Sequence, residues 1–505
     1  MKATEIEECI RVLEALVDNR ASLSDVDLET RNRLFTAAGR LSRPGRTEQR
    51  LLSRALQKKQ RRAVREADAA VLARTGIRKK RQQPLFITPE PKAITESAGS
   101  FSDAQGWEEP ELRNARACYV CKASCERVHF FYDQMCGPCG DFNYAKRSQT
   151  ADLRGRVALV TGARVKIGYQ AAMLLLRAGA RVIVTTRFPR DAARRYAGEV
   201  DFESFRGRLQ IYGLDLRHTP SVEAFAEHLE RSEERLDFLI HNACQTVRRP
   251  PGFYQHLMEG ELSSPSLLPV PAQALLSAFE AMRNAPSALA SGSAKELSAS
   301  LSIGLLASPV LSQVALTPDD LAHGQQLFPS GRLDADLQQV DLRAINSWRL
   351  PLAEVGTVEL LEVQLVNAIA PFVLNARLKA LMQRQRTFDK HIVNVSAMEG
   401  QFYRRFKTDK HPHTNMAKAA LNMMTRTSAP DYAQDGIYMN SVDTGWVTDE
   451  DPEHIARRKT AENNFHPPLD IVDGAARIVD PIFSGINTGR HAFGQFLKDY
   501  RPVAW

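Results

Sequence analysis

The sequence lacks an uninterrupted apolar run of the length that a membrane-spanning helix needs, which is about 20 residues. It also lacks the basic and apolar start of a targeting peptide, since five acidic side chains lie within residues 1–19. No internal repeat is evident. These absences exclude a membrane partner by sequence pattern and predict a cytoplasmic protein.

Cysteine is scarce, with seven residues in 505, yet four of the seven form two C-x-x-C pairs at 118–121 and 136–139. In a reducing compartment such pairs favour a metal over a disulfide, and the thioredoxin-like context of a redox dithiol is absent. Four thiolates complete a tetrahedral Zn²⁺ site with no open position, which predicts a structural zinc ion. Cys125 and His129, in the intervening loop, remain alternatives as ligands or as neighbours of the ligands. The four predicted ligands are Cys118, Cys121, Cys136 and Cys139.

Acidic residues are scarce between positions 50 and 81, where twelve Lys or Arg face two acids. The whole chain has a net charge of +8, so the remainder is close to neutral. Five of these basic residues recur at helical spacing and form one stripe, which is either a solvated helix face or a contact for nucleic acid or an acidic partner. They are Arg54, Lys58, Arg61, Arg62 and Arg65.

Composition and periodicity divide the chain into four parts. From about residue 154, apolar strand-like runs alternate with helical patterns, as in an α/β protein with a doubly wound parallel sheet. A Ser-, Ala- and Pro-rich stretch interrupts that alternation and is interpreted as a partly helical insertion near the mouth of the expected site. The predicted parts are a basic helical arm (1–81, with a turn at Pro44), a linker (82–111), the cysteine module (112–150) and the α/β domain (151–505, with the insertion at about 246–338).

A glycine-containing turn at residues 161–168 joins a buried strand to a helix. Such a turn lets the backbone approach a pyrophosphate and directs the helix N-terminus at it. The next strand ends at Arg187, where an acid would bind the ribose hydroxyls of NAD; an arginine suits a 2′-phosphate and predicts NADP(H). Arg164 and Lys166 add positive charge to the turn.

With these residues in place, the chain resembles the short-chain dehydrogenase/reductase family. Thr161, Gly162 and Gly168 match its T-G-x-x-x-G-x-G turn, in which Lys166 replaces the middle glycine, as in the pteridine reductase subgroup. The resemblance extends in the family's order over about 155–245 and 340–500 and implies a Rossmann fold, hydride transfer and an unidentified small-molecule substrate; a homo-oligomer is also consistent with it. The cofactor residues it implies are Thr161, Gly162, Arg164, Lys166, Ile167, Gly168, Arg187, Asp215, Leu216, Asn242, Ala243, Lys418, Gly445, Val447 and Thr448.

The catalytic pattern of the family is only half retained. Asn367 lies in V-N-A-I-A-P, which resembles the helix of the active-site Asn, and Lys418 lies where the family's catalytic Lys is expected. Four residues before Lys418, however, Thr414 replaces the proton-transferring Tyr, and an aliphatic hydroxyl does not ionise near neutral pH. The usual catalytic Ser position holds Ala397, and Ser396 precedes it by one residue, so its side chain is expected to point elsewhere.

Three functions are consistent with this pattern. The first is an active reductase with another proton carrier, for which His411, His413 and Tyr403 are candidates, since imidazole has a suitable pKa. The second is an NADP(H)-binding sensor or scaffold without turnover. The third is a nucleic-acid or protein-binding factor that acts through the basic arm and the zinc module.

Overall fold

The computed structural model describes residues 2–90, 106–284, 303–321, 326–403 and 407–505. Part of the predicted linker and part of the predicted insertion lie outside these ranges. The chain divides into two units, Met1–Ala70 and Val71–Trp505. The helices of the first unit and of its boundary are α1 (Ala3–Asp18), α2 (Leu28–Ser42), α3 (Arg46–Ala73) and α4 (Gly76–Arg81).

The helical character of the N-terminal arm and its turn at Pro44 agree with expectation, and the five side chains of the basic stripe are exposed. The end of the arm differs, because the second unit begins at Val71. The buried guanidinium of Arg78 forms an ion pair with Asp133, and Arg81 donates to the Leu469 carbonyl over 2.7 Å. These two cations therefore hold the main unit together and do not belong to a solvent-facing basic surface.

The predicted doubly wound sheet is present, with eight strands in the order β10-β9-β8-β7-β6-β3-β4-β5. All neighbouring pairs are parallel except β9 with β10, which form an antiparallel hairpin at one edge. The strand order reverses direction beside β3, and in such sheets ligands bind at this point, outside the carboxyl ends of the strands. The strands are β3 (Val157–Thr161), β4 (Arg181–Thr186), β5 (Leu209–Gly213), β6 (Phe238–His241), β7 (Lys390–Ser396), β8 (Ile437–Asp443), β9 (Phe496–Lys498) and β10 (Arg501–Val503).

The central strands β3 and β7 are buried along their whole length. In β3 this burial goes with a nearly continuous apolar run, whereas β7 also contains buried polar side chains, among them His391 and Asn394. Helices cover both faces, and the main hydrophobic core lies between them and the sheet. The helices of this unit are α5 (Gly137–Arg147), α6 (Lys166–Arg177), α7 (Pro189–Ala197), α8 (Phe202–Phe205), α9 (Thr219–Ser232), α10 (Pro251–Leu262), α11 (Val270–Asn284), α12 (Ile303–Leu306), α13 (Ser308–Leu311), α14 (Thr357–Gln364), α15 (Ala370–Gln383), α16 (Pro412–Gln434), α17 (Glu453–Asn463) and α18 (Ile471–Thr488).

One continuous helical stretch, Thr357–Gln383, is long and apolar enough to cross a membrane by length and composition. It is not an uninterrupted apolar run, because Glu359 and Glu362 lie within it. Three of its leucines belong to the main hydrophobic core, so we interpret the stretch as a core helix of this fold. They are Leu374, Leu378 and Leu381.

The cysteine module consists of a short hairpin, β1 (Glu111–Ala117) with β2 (Ser124–Arg127), followed by α5. Its aromatic side chains form a second hydrophobic cluster together with Val447, Leu469 and Ile471 of the α/β domain. The buried Arg147 adds ion pairs to Asp470 and Asp473 at 2.7 and 2.8 Å. The module is therefore an integral part of the second unit.

The described part of the insertion is partly helical, as expected, and its helix α11 packs against β5 and α7. Glu261 of α10 accepts the backbone N–H groups of Arg190 and Asp191, over 3.1 and 2.7 Å, and so caps the start of α7. Burial outweighs these donors and raises the pKa of Glu261 to about 7.

The raised pKa of Glu261 predicts a pH-dependent stability. Because the folded protein holds this proton up to about pH 7, whereas an unfolded Glu releases it near pH 4.3, the free energy of unfolding falls as the pH rises between these values. The difference is on the order of 3 kcal/mol. Glu261→Gln should lose this component of the pH dependence in denaturant titrations between pH 4.5 and 8, and the exposed Glu259→Gln should retain it. Identical pH profiles for the two variants would contradict the assignment.

Candidate active site

The glycine-containing turn between β3 and α6 has the close packing that its sequence predicts. Gly162 has a φ of +68°, and a Cβ there would lie 2.7 Å from the Cα of Ala243. A Cβ on Gly168 would overlap the Asn242 amide and lie 2.5 Å from the carbonyl oxygen of Gly162. Only glycine fits at these two positions, which lets the turn lie directly against the end of β6.

The end of β6 holds this turn through side-chain hydrogen bonds. Asn242 donates to the carbonyl oxygens of Thr161 and Gly162, at 3.2 and 3.0 Å. The Ala243 N–H donates to the hydroxyl of Thr161 over 3.1 Å. Two motifs that lie some 80 residues apart in the chain therefore form one structural unit.

Lys166 occupies the position of the family's middle glycine and has a φ of +57°. A left-handed backbone costs an L-residue roughly 1–2 kcal/mol, so Lys166 adopts this conformation at a conformational cost. It begins α6, where the helix N-terminus carries partial positive charge. Ile167 follows it and also faces the cleft.

A cleft of about 510 Å³ opens at the carboxyl ends of β3–β6, a size typical of small-molecule sites. Most of the arginines that line it have carboxylate partners; among the described residues, Lys166 and Arg187 have no ion pair. Arg187 follows β4, and its guanidinium stacks 4.6 Å from the Tyr254 ring and donates to the Tyr254 hydroxyl over 2.6 Å. The predicted cofactor residues among its lining are Gly162, Arg164, Lys166, Ile167, Gly168, Arg187, Asp215, Leu216, Asn242, Ala243 and Thr448.

Arg164 differs from the expectation that it adds free positive charge to the turn. It is buried and forms an ion pair with Asp191 at 2.7 Å, and Asp191 also pairs with Arg195 at 2.7 Å. Its positive charge is paired with Asp191, and this ion pair fixes the turn to α7. Sequence spacing gave no sign of this partner, which lies on the next helix.

Asp215 is fully buried and bound by Arg217, whose guanidinium lies 2.6 Å from its carboxylate. The same arginine reaches Glu362 at 2.8 Å, and Glu362 pairs with Arg248 at 3.1 Å. Arg187 and Arg217 hold the pKa of Asp215 below its usual range against the effect of burial. The cofactor contact that the resemblance implies for Asp215 therefore competes with a strong internal partner, Arg217. Leu216 lines the cleft beside it.

The segment after β8 lies at the opposite end of the cleft. Gly445 has a φ of +76°, and Val447 is buried. Thr448 lines the cleft and donates to the Glu450 carboxylate over 2.7 Å. The resemblance implies that residues 440–448 cover the cofactor, and they are called the cofactor-covering segment below.

Five residues lie at or beside the catalytic positions that the resemblance implies, and all five are buried and none lines the cleft. They are Lys418, Asn367, Ser396, Thr414 and His413. Lys418 of α16 donates to the Val395 carbonyl over 2.7 Å. Asn367 lies in a π-helical turn and exchanges two hydrogen bonds with the backbone of Gln245, at 2.7 and 3.0 Å. π-Helical turns in α-helices are often found at functional sites.

Ser396 has a buried hydrogen-bond partner. Its hydroxyl donates to the Asn422 amide oxygen over 2.6 Å, within the interface between β7 and α16. This agrees with the expectation that a residue one position early points away from the site. Thr414 is buried, and its hydroxyl has no hydrogen-bond partner in the described residues.

The candidate proton carriers differ in their surroundings. His413 is buried, its ring nitrogens have no hydrogen bond in the described residues, and its Nε2 lies 3.9 Å from Glu359. Burial lowers its pKa. His411 stacks on Trp348 at 3.8 Å, and burial lowers its pKa to about 4. Tyr403 is about half exposed.

Sequence reasoning missed the segment that covers this end of the site. Residues 346–351 return from the insertion, and His411 N–H donates to the Leu350 carbonyl over 2.9 Å. Asn346 donates to the Glu450 carbonyl over 2.9 Å, and Arg349 pairs with Asp451 at 2.7 Å. The segment thus joins the start of α16 to the cofactor-covering segment. Its only sequence signal is that it follows the insertion directly.

The four predicted zinc ligands come together. Their sulfur atoms all lie within 4.8 Å of one another, and those of Cys121 and Cys136 are 3.7 Å apart. Tetrahedral Zn–S bonds of about 2.3 Å require a separation of roughly 3.8 Å, so the arrangement fits this ion. Cys125 instead donates to the Arg116 carbonyl, and His129 accepts two backbone N–H groups, so neither joins the cluster.

The sheet order, the close glycine-containing turn and the cleft at the reversal point define a Rossmann-type α/β protein. A family model described as short chain dehydrogenase matches residues 156–260, and one described as enoyl-(acyl carrier protein) reductase matches 342–469. The chain belongs to the short-chain dehydrogenase/reductase family.

Sequence relatives differ in how much they share. Uncharacterized protein R665 of Acanthamoeba polyphaga mimivirus is 31% identical over 385 residues, which cover 73% of this chain and 71% of that protein. Dehydrogenase/reductase SDR family member 13 of Bos taurus is 43% identical over 104 residues, or 20% of this chain and 27% of that protein. The chain therefore matches about a quarter of the bovine relative.

Two solved structures are similar at low identity. Angucycline C-6 ketoreductase LanV, solved with bound NADP, is 18% identical with a TM-score of 0.41, covering 70% of this chain and 96% of that one. The NADP complex of Pseudomonas aeruginosa RhlG is 18% identical with a TM-score of 0.42, covering 68% and 94%.

Proposed function

We propose that this protein is an NADP(H)-dependent oxidoreductase that transfers hydride to or from a small carbonyl or alcohol compound, with a proton carrier other than tyrosine. The observation that carries the cofactor assignment is the pair of cleft cations, Lys166 and Arg187. Neither forms an ion pair in the described residues, although Lys166 is close enough to Asp336, and Arg187 to Asp215, for their charges to interact. Lys166 lies at the start of α6, where a diphosphate binds in this class, and Arg187 lies after β4, where a 2′-phosphate binds.

Other residues of the glycine-containing turn also fit a bound NADP(H). Gly162 and Gly168 permit a backbone approach that a side chain would block, and Asn242 fixes the turn. The bound cofactor would supply or accept the hydride. His413 is the proposed proton carrier, because its imidazole lies beside Thr414 in the first turn of α16 and has no hydrogen bond in the described residues. Its lowered pKa favours the neutral form near pH 7, which accepts a proton.

This assignment is tested by following NADPH absorbance with a panel of aldehydes, ketones, imines and pterins. Turnover is expected on at least one class, and Lys418→Ala should reduce it at least tenfold, because it removes the buried ammonium beside Val395. His413→Gln should reduce it similarly, whereas the exposed His454→Gln should not. Full activity in both of the first two variants would exclude these roles.

A second candidate, an NADP(H)-binding sensor or scaffold, is favoured by one observation. Residues 346–351 contact the start of α16 through His411, and the predicted catalytic side chains are buried. Affinity for NADPH without turnover on any substrate of the panel would support this function. Lack of affinity for both NADP⁺ and NADPH in calorimetry would remove both candidates.

We further propose that the four cysteines hold a structural Zn²⁺. The spacing of their sulfur atoms supports this ion, and so does the Cys136 N–H, which donates to the Cys118 sulfur over 3.4 Å. A backbone N–H donor of this kind stabilises the thiolate, which is the form that binds a metal.

A further inference from the structure

The first knuckle of the cysteine module contacts the cofactor-covering segment directly. Tyr119, the residue after Cys118, accepts a hydrogen bond at its hydroxyl from the Trp446 N–H over 3.0 Å. Gly445 permits the approach, because a Cβ there would lie 3.1 Å from that hydroxyl and 2.5 Å from Leu469. The contact joins residues 327 positions apart in the chain.

Tyr119 is itself firmly held. Its own N–H donates to the Gln134 carbonyl over 2.7 Å, in the loop that leads to the second knuckle. The ammonium groups of Lys122 and Lys498 lie 5.1 and 5.5 Å from its ring centroid. The tyrosine therefore has a fixed position only while the two knuckles keep their arrangement.

Apolar packing links the same two parts. Val447 is buried in the hydrophobic cluster that contains Cys118, together with Leu469 and Val472. One residue further on, Thr448 lines the cleft. The segment thus passes from the surface of the cysteine module to the wall of the cleft within three residues.

The sheet order shows which half of the cofactor this segment would face. Arg187 follows β4, on one side of β3, and the segment follows β8, on the other side. In doubly wound sheets a dinucleotide lies across the reversal point, with one half on each side. With the 2′-phosphate end at Arg187, the nicotinamide end lies towards residues 445–448.

We propose that Tyr119 is a positioning residue that couples the metal-bound state of the cysteine module to the affinity for the nicotinamide half of the cofactor. The inference depends on the proposed NADP(H) binding. When the four thiolates hold their ion, the knuckle presents the tyrosine hydroxyl to Trp446 N–H and fixes residues 445–448. When the ion is lost, the segment loses this support and the cofactor binds more weakly.

The test compares two probes in calorimetry with full-length protein. NADPH contains the nicotinamide half, whereas adenosine 2′,5′-bisphosphate contains only the end that faces Arg187. Tyr119→Phe removes one hydrogen bond and keeps the ring, so the Kd for NADPH should rise about 2–10-fold. The Kd for the bisphosphate should stay within 1.5-fold, and the zinc content should be unchanged.

Tyr500→Phe is the matched control, because the Tyr500 hydroxyl is buried and has no hydrogen-bond partner in the described residues. It should change neither Kd. Chelation of zinc from the wild-type protein should weaken NADPH binding, and added Zn²⁺ should restore it. The same chelation should weaken binding less in Tyr119→Phe, since the coupling is already lost. Amide hydrogen exchange at residues 445–448 should accelerate both in the zinc-depleted wild-type protein and in Tyr119→Phe.

The outcomes separate the inference from the proposed function. A wild-type protein without affinity for either probe would overturn the NADP(H) assignment. A wild-type protein that binds NADPH, with a Tyr119→Phe variant that binds both probes unchanged, would overturn the positioning role alone. Equal weakening for both probes would show a general structural defect and would also overturn it.

Discussion

Replacing Arg187 with alanine is expected to raise the Kd for NADPH about 30–100-fold and to leave the Kd for NADH within about twofold. A charged hydrogen bond contributes roughly 1.5–3 kcal/mol, and each 1.4 kcal/mol corresponds to a factor of ten in affinity. NADH lacks the 2′-phosphate and so loses nothing with this guanidinium. The ratio of the two constants, measured by calorimetry, is the result that matters, because a misfolded variant would weaken both.

The surroundings of Arg187 make this effect large. Stacking on Tyr254 and the hydrogen bond to its hydroxyl hold the guanidinium in place before any ligand arrives. Its backbone carbonyl accepts a hydrogen bond from Ser308 of the insertion over 3.0 Å. Arg206→Ala, at an exposed position that pairs with Glu203, is the control and should change neither constant. An unchanged preference for NADPH in Arg187→Ala would show that the 2′-phosphate binds elsewhere.

The sheet and the glycine-containing turn could be predicted because their determinants are local. The first strand, β3, is a nearly continuous apolar run, and Gly162 and Gly168 are needed where the backbone approaches β6. The four cysteines carry their geometry in their spacing, since two residues between thiols suit one metal. Each of these features is contained in fewer than ten residues around each motif.

Features that depend on distant partners could not be predicted in the same way. From the sequence, Arg164 and Arg78 are interpreted as unpaired basic residues. In the structure Arg164 pairs with Asp191 and Arg78 with Asp133, each on another part of the chain. The covering of α16 by residues 346–351 depends on how the insertion returns to the sheet, and no periodicity encodes that path. The burial of the predicted catalytic side chains is therefore the main finding that only the structure supplies.

Replacing Cys118 with serine is expected to abolish zinc binding and to lower the midpoint of thermal unfolding by at least about 5 °C. The Cys118 side chain is fully buried in the hydrophobic cluster that joins the module to the α/β domain. Structural Zn²⁺ contributes roughly 10–16 kcal/mol of apparent binding free energy in small zinc modules, and an alkoxide does not form near pH 7 to replace the thiolate. The loss of the ion should therefore also destabilise the ion pairs that Arg147 of the module forms with Asp470 and Asp473.

Cys125→Ser is the matched control, because Cys125 lies in the same module, outside the cluster, and its hydrogen bond to the Arg116 carbonyl can be made by a hydroxyl. It should retain one zinc ion per chain, measured by a colorimetric chelator on unfolded protein, and a wild-type unfolding midpoint. A wild-type protein purified without zinc and stable to chelators would contradict the metal assignment. The four thiols would then have to remain reduced and in close contact without a metal. The sulfur atoms of Cys121 and Cys136 are 3.7 Å apart, so any thiolates that form there would repel each other. The zinc ion removes that repulsion, which is why the tetrathiolate is expected to bind metal in the folded protein.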